Sequence, residues 1–298
     1  MNAPLTSAAP AYRHITVSPV TVNIGAEIEG VDLAADPSAE VLAEIRQAWL
    51  QYKVIFFRDQ NVTEAQHIRF ARSFSDLEPH PVTPSVPGYP ELMLLARGET
   101  RKNSENEYHS DMTFRDIPPM GAVLRAVELP KVGGDTVWVN MAAAYQGLTP
   151  EVKSEIEGLT AVHDGMPIFA HRLDAAQTAQ YQRDYPPMIH PVVVVHPETG
   201  EKILYVSRNF TTHIYNAYTA KFIRRAESDA LLTHLFQQVM KPEYQVRFRW
   251  RRNSIAAWDN RSTQHYAVLD YINDSTAGAI RRVMHRATLK GVARPCAD

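Results

Sequence analysis

The sequence predicts a mainly β fold with added helices, a sandwich or jelly roll. Many short strand-type segments are separated by turn signals, and the helical segments are too few to alternate with them as a doubly wound parallel sheet requires. No Gly/Ser-rich linker or internal repeat divides the 298 residues, which suffice for one sizeable core. The expected organisation is a flexible N-terminal tail over residues 1–14 and a single domain over residues 15–298.

The segments follow in order. Ile15 to Ile28 alternates in part between apolar and polar residues, is punctuated by Gly25 and Gly30, and reads as strands. Ala39 to Tyr52 carries Val41, Leu42, Ile45, Ala48, Trp49 and Tyr52 at helical spacing. Val54 to Phe57 is a short apolar run of strand type, and Thr63 is the expected N-cap of a helix reaching Phe74. Met120 to Leu129 and Thr136 to Asn140 read as strands joined across a Gly133-Gly134 turn. Pro191 to His196 and Ile203 to Val206 flank Pro197-Glu-Thr-Gly200 as a hairpin. Glu227 to Met240 is expected to be helical, and Tyr244 to Trp258 and Ala279 to Leu289 supply the last strands. The polar stretch Arg97 to Glu107 is either a lid over a site or a solvated connector.

Composition narrows the partners. Hydrophobic residues are 45% and charged residues 21%, as in an ordinary globular chain, and a net charge of −2 offers no electrostatic case for nucleic acid or an anionic membrane. No apolar run approaches the roughly 20 residues of a membrane span. Met1 to Tyr12 lacks the charged start and apolar region of a signal peptide. Cys296, the single cysteine, allows no internal disulfide, which fits a reducing compartment and a cytoplasmic expectation. The expected partner is a small molecule, and homo-oligomerisation is left open.

The unit His109-Ser-Asp111, with His265 far downstream, carries the chemistry. On an extended strand the two outer side chains of an H-x-D unit share a face, because side chains alternate with period two. A second imidazole from a distant strand completes a 2-His-1-carboxylate triad, which suits non-haem Fe(II) because it leaves octahedral positions open. The unit alone is weak among 12 histidines. His163, His190, His196 and His234 lack such a pattern and read as structural.

The surrounding blocks are more specific. Tyr108-His-Ser-Asp-Met-Thr-Phe114 is followed by Pro118-Pro-Met-Gly121 and Gly133-Gly-Asp-Thr136-Val-Trp138. Trp258-Asp-Asn-Arg-Ser-Thr-Gln-His265-Tyr-Ala is followed by Arg281-Arg-Val-Met-His-Arg286-Ala-Thr. From about Val20 to Gly291 the chain resembles the taurine dioxygenase family of Fe(II)- and 2-oxoglutarate-dependent dioxygenases. The resemblance implies a double-stranded β-helix with added helices, Fe(II) as cofactor, and 2-oxoglutarate and O₂ as cosubstrates. The implied reaction decarboxylates 2-oxoglutarate to succinate and CO₂ while hydroxylating a C–H bond of a small anionic substrate, a sulfonate or a sulfate ester.

The same resemblance implies site residues. His109, Asp111 and His265 would bind the metal. Arg282, with Thr136, would hold the distal carboxylate of 2-oxoglutarate, and Arg286 would face the anionic end of the prime substrate. The even spacing of the two arginines puts them on one face of a strand, and a guanidinium grips a carboxylate through two parallel N–H bonds. His80 corresponds to the histidine that holds the sulfonate, and Phe169 and Phe210 to aromatic walls. The pattern departs at Thr83, where the family has tyrosine, and near Glu105, with Asn103 and Asn106, where an asparagine is expected. The loops Asn273 to Gly278 and Asn216 to Arg225 look extended. These departures predict a larger pocket than taurine needs. The alternatives are the same chemistry on an aryloxyalkanoate or a biosynthetic carboxylic acid, a zinc hydrolase, and a non-catalytic metal-binding protein. Arg282 with Thr136 argues against the hydrolase, which needs no dicarboxylate clamp.

Overall fold

A computed structural model describes residues 12–97, 107–216, 221–271 and 282–297. Most of the Arg97 to Glu107 stretch, residues 1–11 of the expected tail, the Asn273 to Gly278 loop and residues 217–220 of the other extended loop lie outside the described residues. The rest of that tail is tied down: Tyr12 donates to Gln51, and Glu44 accepts from the amides of Arg13, His14 and Ile15.

The architecture is mainly β with helices packed outside. An eight-stranded main sheet runs in the order Thr16–Pro19, Ala26–Glu29, Val54–Phe57, Ile255–Asp259, Gly121–Glu128, Arg282–Leu289, Tyr89–Arg97, Ser85–Val86. Its pairs are antiparallel except Ala26–Glu29 with Val54–Phe57. A three-stranded minor sheet holds Thr136–Asn140 between Gln245–Phe248 and Thr263–Ala267. A four-stranded sheet (Lys221–Phe222, Thr211–Asn216, Leu159–His163, Met188–Pro191) and the Val193–Val195/Lys202–Leu204 hairpin complete it.

Period-two alternation sorts the main sheet's residues into two cores. Even-numbered Val54, Phe56, Leu124, Ala256, Trp258 and Met284 pack with Trp138, Val246 and Phe248 of the minor sheet. Odd-numbered Ile55, Phe57, Val123, Ile255, Ala257 and Leu289 pack against the helices Ala39–Tyr52 and Glu64–Arg72. With both faces covered, all eight residues of Arg282–Leu289 are buried, arginines included. The first helix is capped by Ser38 and ends at Lys53, whose φ is 67°. Thr63 and Gln66 form a capping box on the second, which ends at Arg72, short of Phe74.

Three segment expectations change. Gly121–Glu128 and Thr136–Asn140 are not a hairpin: they pair in different sheets. Gly133 and Gly134, with φ of 79° and 76°, carry the chain from one sheet to the other, and Asp270 accepts the Gly134 amide at 2.9 Å. Tyr244 to Trp258 likewise splits into Gln245–Phe248 and Ile255–Asp259, in separate sheets, with Asn253 at φ 62° between them. The late helix runs over Arg225–Phe236 and tightens into a 3₁₀ turn over Gln237–Met240.

His67 fastens the second helix to the main sheet, its Nε2–H donating to the Val123 carbonyl at 3.0 Å. Burial, with Arg125 nearby, pushes this imidazole down from 6.5 to about 3. Its neutral form is the folded form, so its contribution is complete above pH 6.5 and is lost as pH falls from there toward 3. The urea midpoint should therefore fall between pH 7 and pH 4, and less steeply in His67→Gln. Equal slopes would show that His67 does not contribute.

Candidate metal centre

His109 and His265 meet through backbone pairing. They form an isolated antiparallel bridge, with the His109 amide donating to the His265 carbonyl at 3.1 Å and the reverse bond at 2.8 Å. Residues directly opposite in such a pair project to one side, and the two rings lie 4.3 Å apart. The Glu107 carbonyl accepts a hydrogen bond from His109 Nδ1–H at 2.9 Å, which keeps the proton of the neutral ring on Nδ1 and leaves Nε2 with a lone pair.

Asp111 arrives differently from the expected strand geometry. It lies past the bridge at the start of a turn, next to Met112 with φ of 48°. Asn260 holds it there: the Asn260 Oδ1 accepts the Asp111 amide at 2.6 Å, and Nδ2 donates to the carbonyls of Asp111 and Pro119, both at 3.0 Å. Ser110 Oγ donates to the Thr263 carbonyl at 2.8 Å. The turn bearing Asn260 is braced in turn by Asp259, which accepts from His196 at 3.0 Å and from Arg261 at 2.6 Å.

The three ligand candidates are buried, and one atom from each falls within 4.8 Å of the others. Asp111 Oδ1 is 3.8 Å from His109 Nε2 and 4.0 Å from His265 Nε2. Asp111 Oδ2 is buried with no hydrogen-bond partner among the described residues. A buried carboxylate oxygen without a partner is expensive, so this orphan fits a cation. Burial would raise the Asp111 carboxyl, but the Arg286 guanidinium, 3.0 Å away, together with His265 and His109, outweighs it and holds the group well below the usual carboxylate range. It is an anion at any working pH.

Every site residue predicted from the sequence lines one cavity: His80, Thr83, Thr136, Phe169, Phe210, Arg282 and Arg286 join the triad there. Arg282 donates from Nε to the Gly134 carbonyl at 3.1 Å, and a Cβ on Gly134 would stand 3.2 Å from its Cδ. The Thr136 hydroxyl accepts the Trp250 indole N–H at 2.9 Å, which leaves its own proton for an acceptor. His80 Nδ1 accepts the amides of Val82 and Thr83 at 3.1 and 2.9 Å, so a neutral ring carries its proton on Nε2. His196 is locked the same way by Glu198 and Thr199, making His-Pro-x-Thr a repeated tautomer-setting turn. Thr83 thus contributes its backbone where the sequence suggested only a lost phenol.

The sequence reading missed the Arg286–Asp111 contact, the clamp from Asn260, and the walls made by Met112, Ile168, Trp258 and Asn209. Asn260 and Met112 sit inside the motif blocks, but no spacing announces a side-chain-to-backbone clamp or a left-handed residue. Asn260→Ala should weaken binding of Mn(II) to the apoprotein about 10- to 100-fold, the usual effect of removing a group that orients a ligand. Unchanged Mn(II) affinity would mean Asp111 is held by its neighbours without Asn260.

The chain is similar to known proteins over nearly its whole length. A Pseudomonas putida alpha-ketoglutarate-dependent sulfate ester dioxygenase is 37% identical over 298 residues, covering 97% of this chain and 94% of that protein. An Acinetobacter baylyi alkylsulfatase is 34% identical, with 91% and 84% covered. The crystal structure of a taurine dioxygenase from Burkholderia xenovorans superposes with a TM-score of 0.80 at 36% identity, over 96% of this chain and 92% of that one. The model of the Taurine catabolism dioxygenase TauD, TfdA family matches residues 16–288, and the chain belongs to that family of 2-oxoglutarate-dependent dioxygenases.

Proposed function

We propose that this enzyme binds Fe(II) at His109, Asp111 and His265 and hydroxylates the C–H-bearing carbon next to the oxygen of an alkyl or arylalkyl sulfate ester, or next to the sulfur of an alkyl sulfonate. The observation that carries the reading is one cavity with anion-binding donors, His80 and Arg286, beside apolar walls from Met112, Ile168, Phe169 and Phe210. A double-stranded β-helix formed by the main and minor sheets, within a single domain, is the scaffold we assign. The lone cysteine, exposed Cys296, supports a cytoplasmic site of action.

Bound iron, with 2-oxoglutarate and O₂, would supply the oxidising chemistry; the protein supplies position and charge. Arg282 and the Thr136 hydroxyl would hold the distal carboxylate of 2-oxoglutarate. The His80 Nε2–H would donate to the sulfate or sulfonate. A cation taken up by Asp111 would compete for the carboxylate that Arg286 now grips, leaving that guanidinium for the substrate anion. Phe169 and Phe210, with ring centroids 6.4 Å apart and both packed on Phe114, would enclose the carbon skeleton and keep water out. Hydroxylation beside a sulfate-ester oxygen gives a product that falls apart to an aldehyde and sulfate.

Succinate formation across sulfonates, sulfate esters, aryloxyalkanoates and taurine tests the reading. Burying each additional methylene contributes about 0.8 kcal/mol, or about fourfold in kcat/KM. Longer or aryl-bearing sulfate esters and sulfonates should therefore outrun taurine, and Thr83→Tyr should shift preference back toward small sulfonates. Taurine winning in the unmutated enzyme would overturn the enlarged-pocket reading. An aryloxyalkanoate winning would move the assignment to carboxylates.

A further inference from the structure

Asn209 lines the cavity of the metal centre and is 4% exposed. Its carboxamide makes no hydrogen bond with any described residue. The turn that carries it is fixed. The Ser207 carbonyl accepts the amides of Phe210 at 3.3 Å and Thr211 at 2.9 Å, and Thr211 Oγ1 accepts the Ser207 amide at 2.9 Å. Gln264, next to His265, donates to the Val206 carbonyl at 2.6 Å. The following residue, Phe210, sets its ring edge-on to His109, with centroids 6.1 Å apart. A braced turn thus holds a carboxamide among the substrate walls, close to the metal ligands.

The other polar groups assigned above have their tasks: the triad for the metal, Thr136 and Arg282 for 2-oxoglutarate, His80 and Arg286 for the substrate anion. Asn209 has none. A hydrocarbon chain passing Asn209 would strip water from the carboxamide and leave it unpaired, which costs more than burying one methylene returns. A chain oxygen placed there accepts the Nδ2–H instead. A cationic group fits less well. Arg282, Arg286 and Asp111 are the charged residues on these walls, and Asp111 is assigned to the metal, so a further cation finds no counter-ion. We propose, on the basis of the sulfate-ester or sulfonate reading above, that Asn209 is a specificity residue. It selects substrates whose carbon chain carries a neutral ether, hydroxyl or carbonyl oxygen.

The test compares kcat/KM for a heptyl chain with chains in which the third, fourth or fifth methylene from the anionic head is replaced by oxygen. The replacement keeps the shape, and in a purely apolar pocket it should cost about fourfold at every position for the lost methylene. With Asn209 engaged, one oxygen position should instead beat the plain chain by at least about fivefold, the lower end of what an unpaired buried polar group costs. Asn209→Leu should remove that advantage and put the plain chain ahead, while N-oxalylglycine affinity of the Mn(II)-loaded protein stays unchanged. Each chain is offered as a sulfate, a sulfonate and a carboxylate. The head that is accepted tests the proposed function, and the order of chains within that head tests Asn209, so the two readings fail separately. The plain chain winning against every oxygen position in the unmutated enzyme, or an order that Asn209→Leu leaves unchanged, would overturn the assignment. Weakened N-oxalylglycine binding would place Asn209 against the cosubstrate, and an amino-terminated chain outrunning the oxygen-bearing ones would put a cation there; either result overturns it. Rejection of all three heads would overturn both readings.

Discussion

Asp111→Ala and His265→Ala are each expected to abolish the weak visible charge-transfer band that anaerobic Fe(II) and 2-oxoglutarate give with the unmutated enzyme, and to abolish turnover. Removing one of three protein ligands leaves too few to hold the ion in an ordered open site. The two variants differ in their side effects. Asp111→Ala strands the Arg286 guanidinium, which is 6% exposed and now pairs with Asp111 at 3.0 Å. Leaving a buried charge without its partner costs about 3–5 kcal/mol, so this variant should also melt earlier. His265→Ala leaves that ion pair in place and isolates the effect on the metal. Melting temperatures of the two apoproteins separate the contributions. A variant that keeps both band and turnover would remove its residue from the ligand set.

Periodicity was enough to find Ala39–Tyr52, Val54–Phe57 and the Val193–Val195/Lys202–Leu204 hairpin, because each carries its own local signal. It was not enough for partners distant in sequence. The Gly133-Gly134 pair reads as a hairpin turn, yet tertiary pairing of Thr136–Asn140 with Gln245–Phe248 and Thr263–Ala267 decides where that strand goes. Tyr89–Arg97, Leu159–His163 and Thr211–Asn216 escaped because their apolar and polar residues follow contacts across the sheet rather than strict alternation. That the candidate site residues share one cavity was legible because their motif blocks are long, although none of the candidate residue types is scarce in this chain. How the ligands converge was not legible: a two-residue bridge and the Asn260 clamp do what a continuous strand was expected to do.

Arg282→Lys is expected to raise the 2-oxoglutarate requirement by about 10- to 150-fold, the equivalent of roughly 1.5–3 kcal/mol for a lost charge-assisted bond. The arginine is 4% exposed, and its Nε is already committed to the Gly134 carbonyl at 3.1 Å, which fixes the plane of the guanidinium. Gly134 is part of that fit: a side chain there would press within 3.3 Å of the Arg282 Nε. A lysine cannot make the Nε bond and the two-pronged carboxylate contact together; it offers a point charge on a flexible stem. The loss should appear in the apparent KM for 2-oxoglutarate and in the concentration needed to develop the visible band, with prime-substrate KM little changed. Arg286→Lys should show the opposite split, because that residue is assigned to the substrate anion. If Arg282→Lys instead disturbs only the prime-substrate dependence, the two arginines have exchanged roles, and the cosubstrate lies at the other end of the cavity from Thr136.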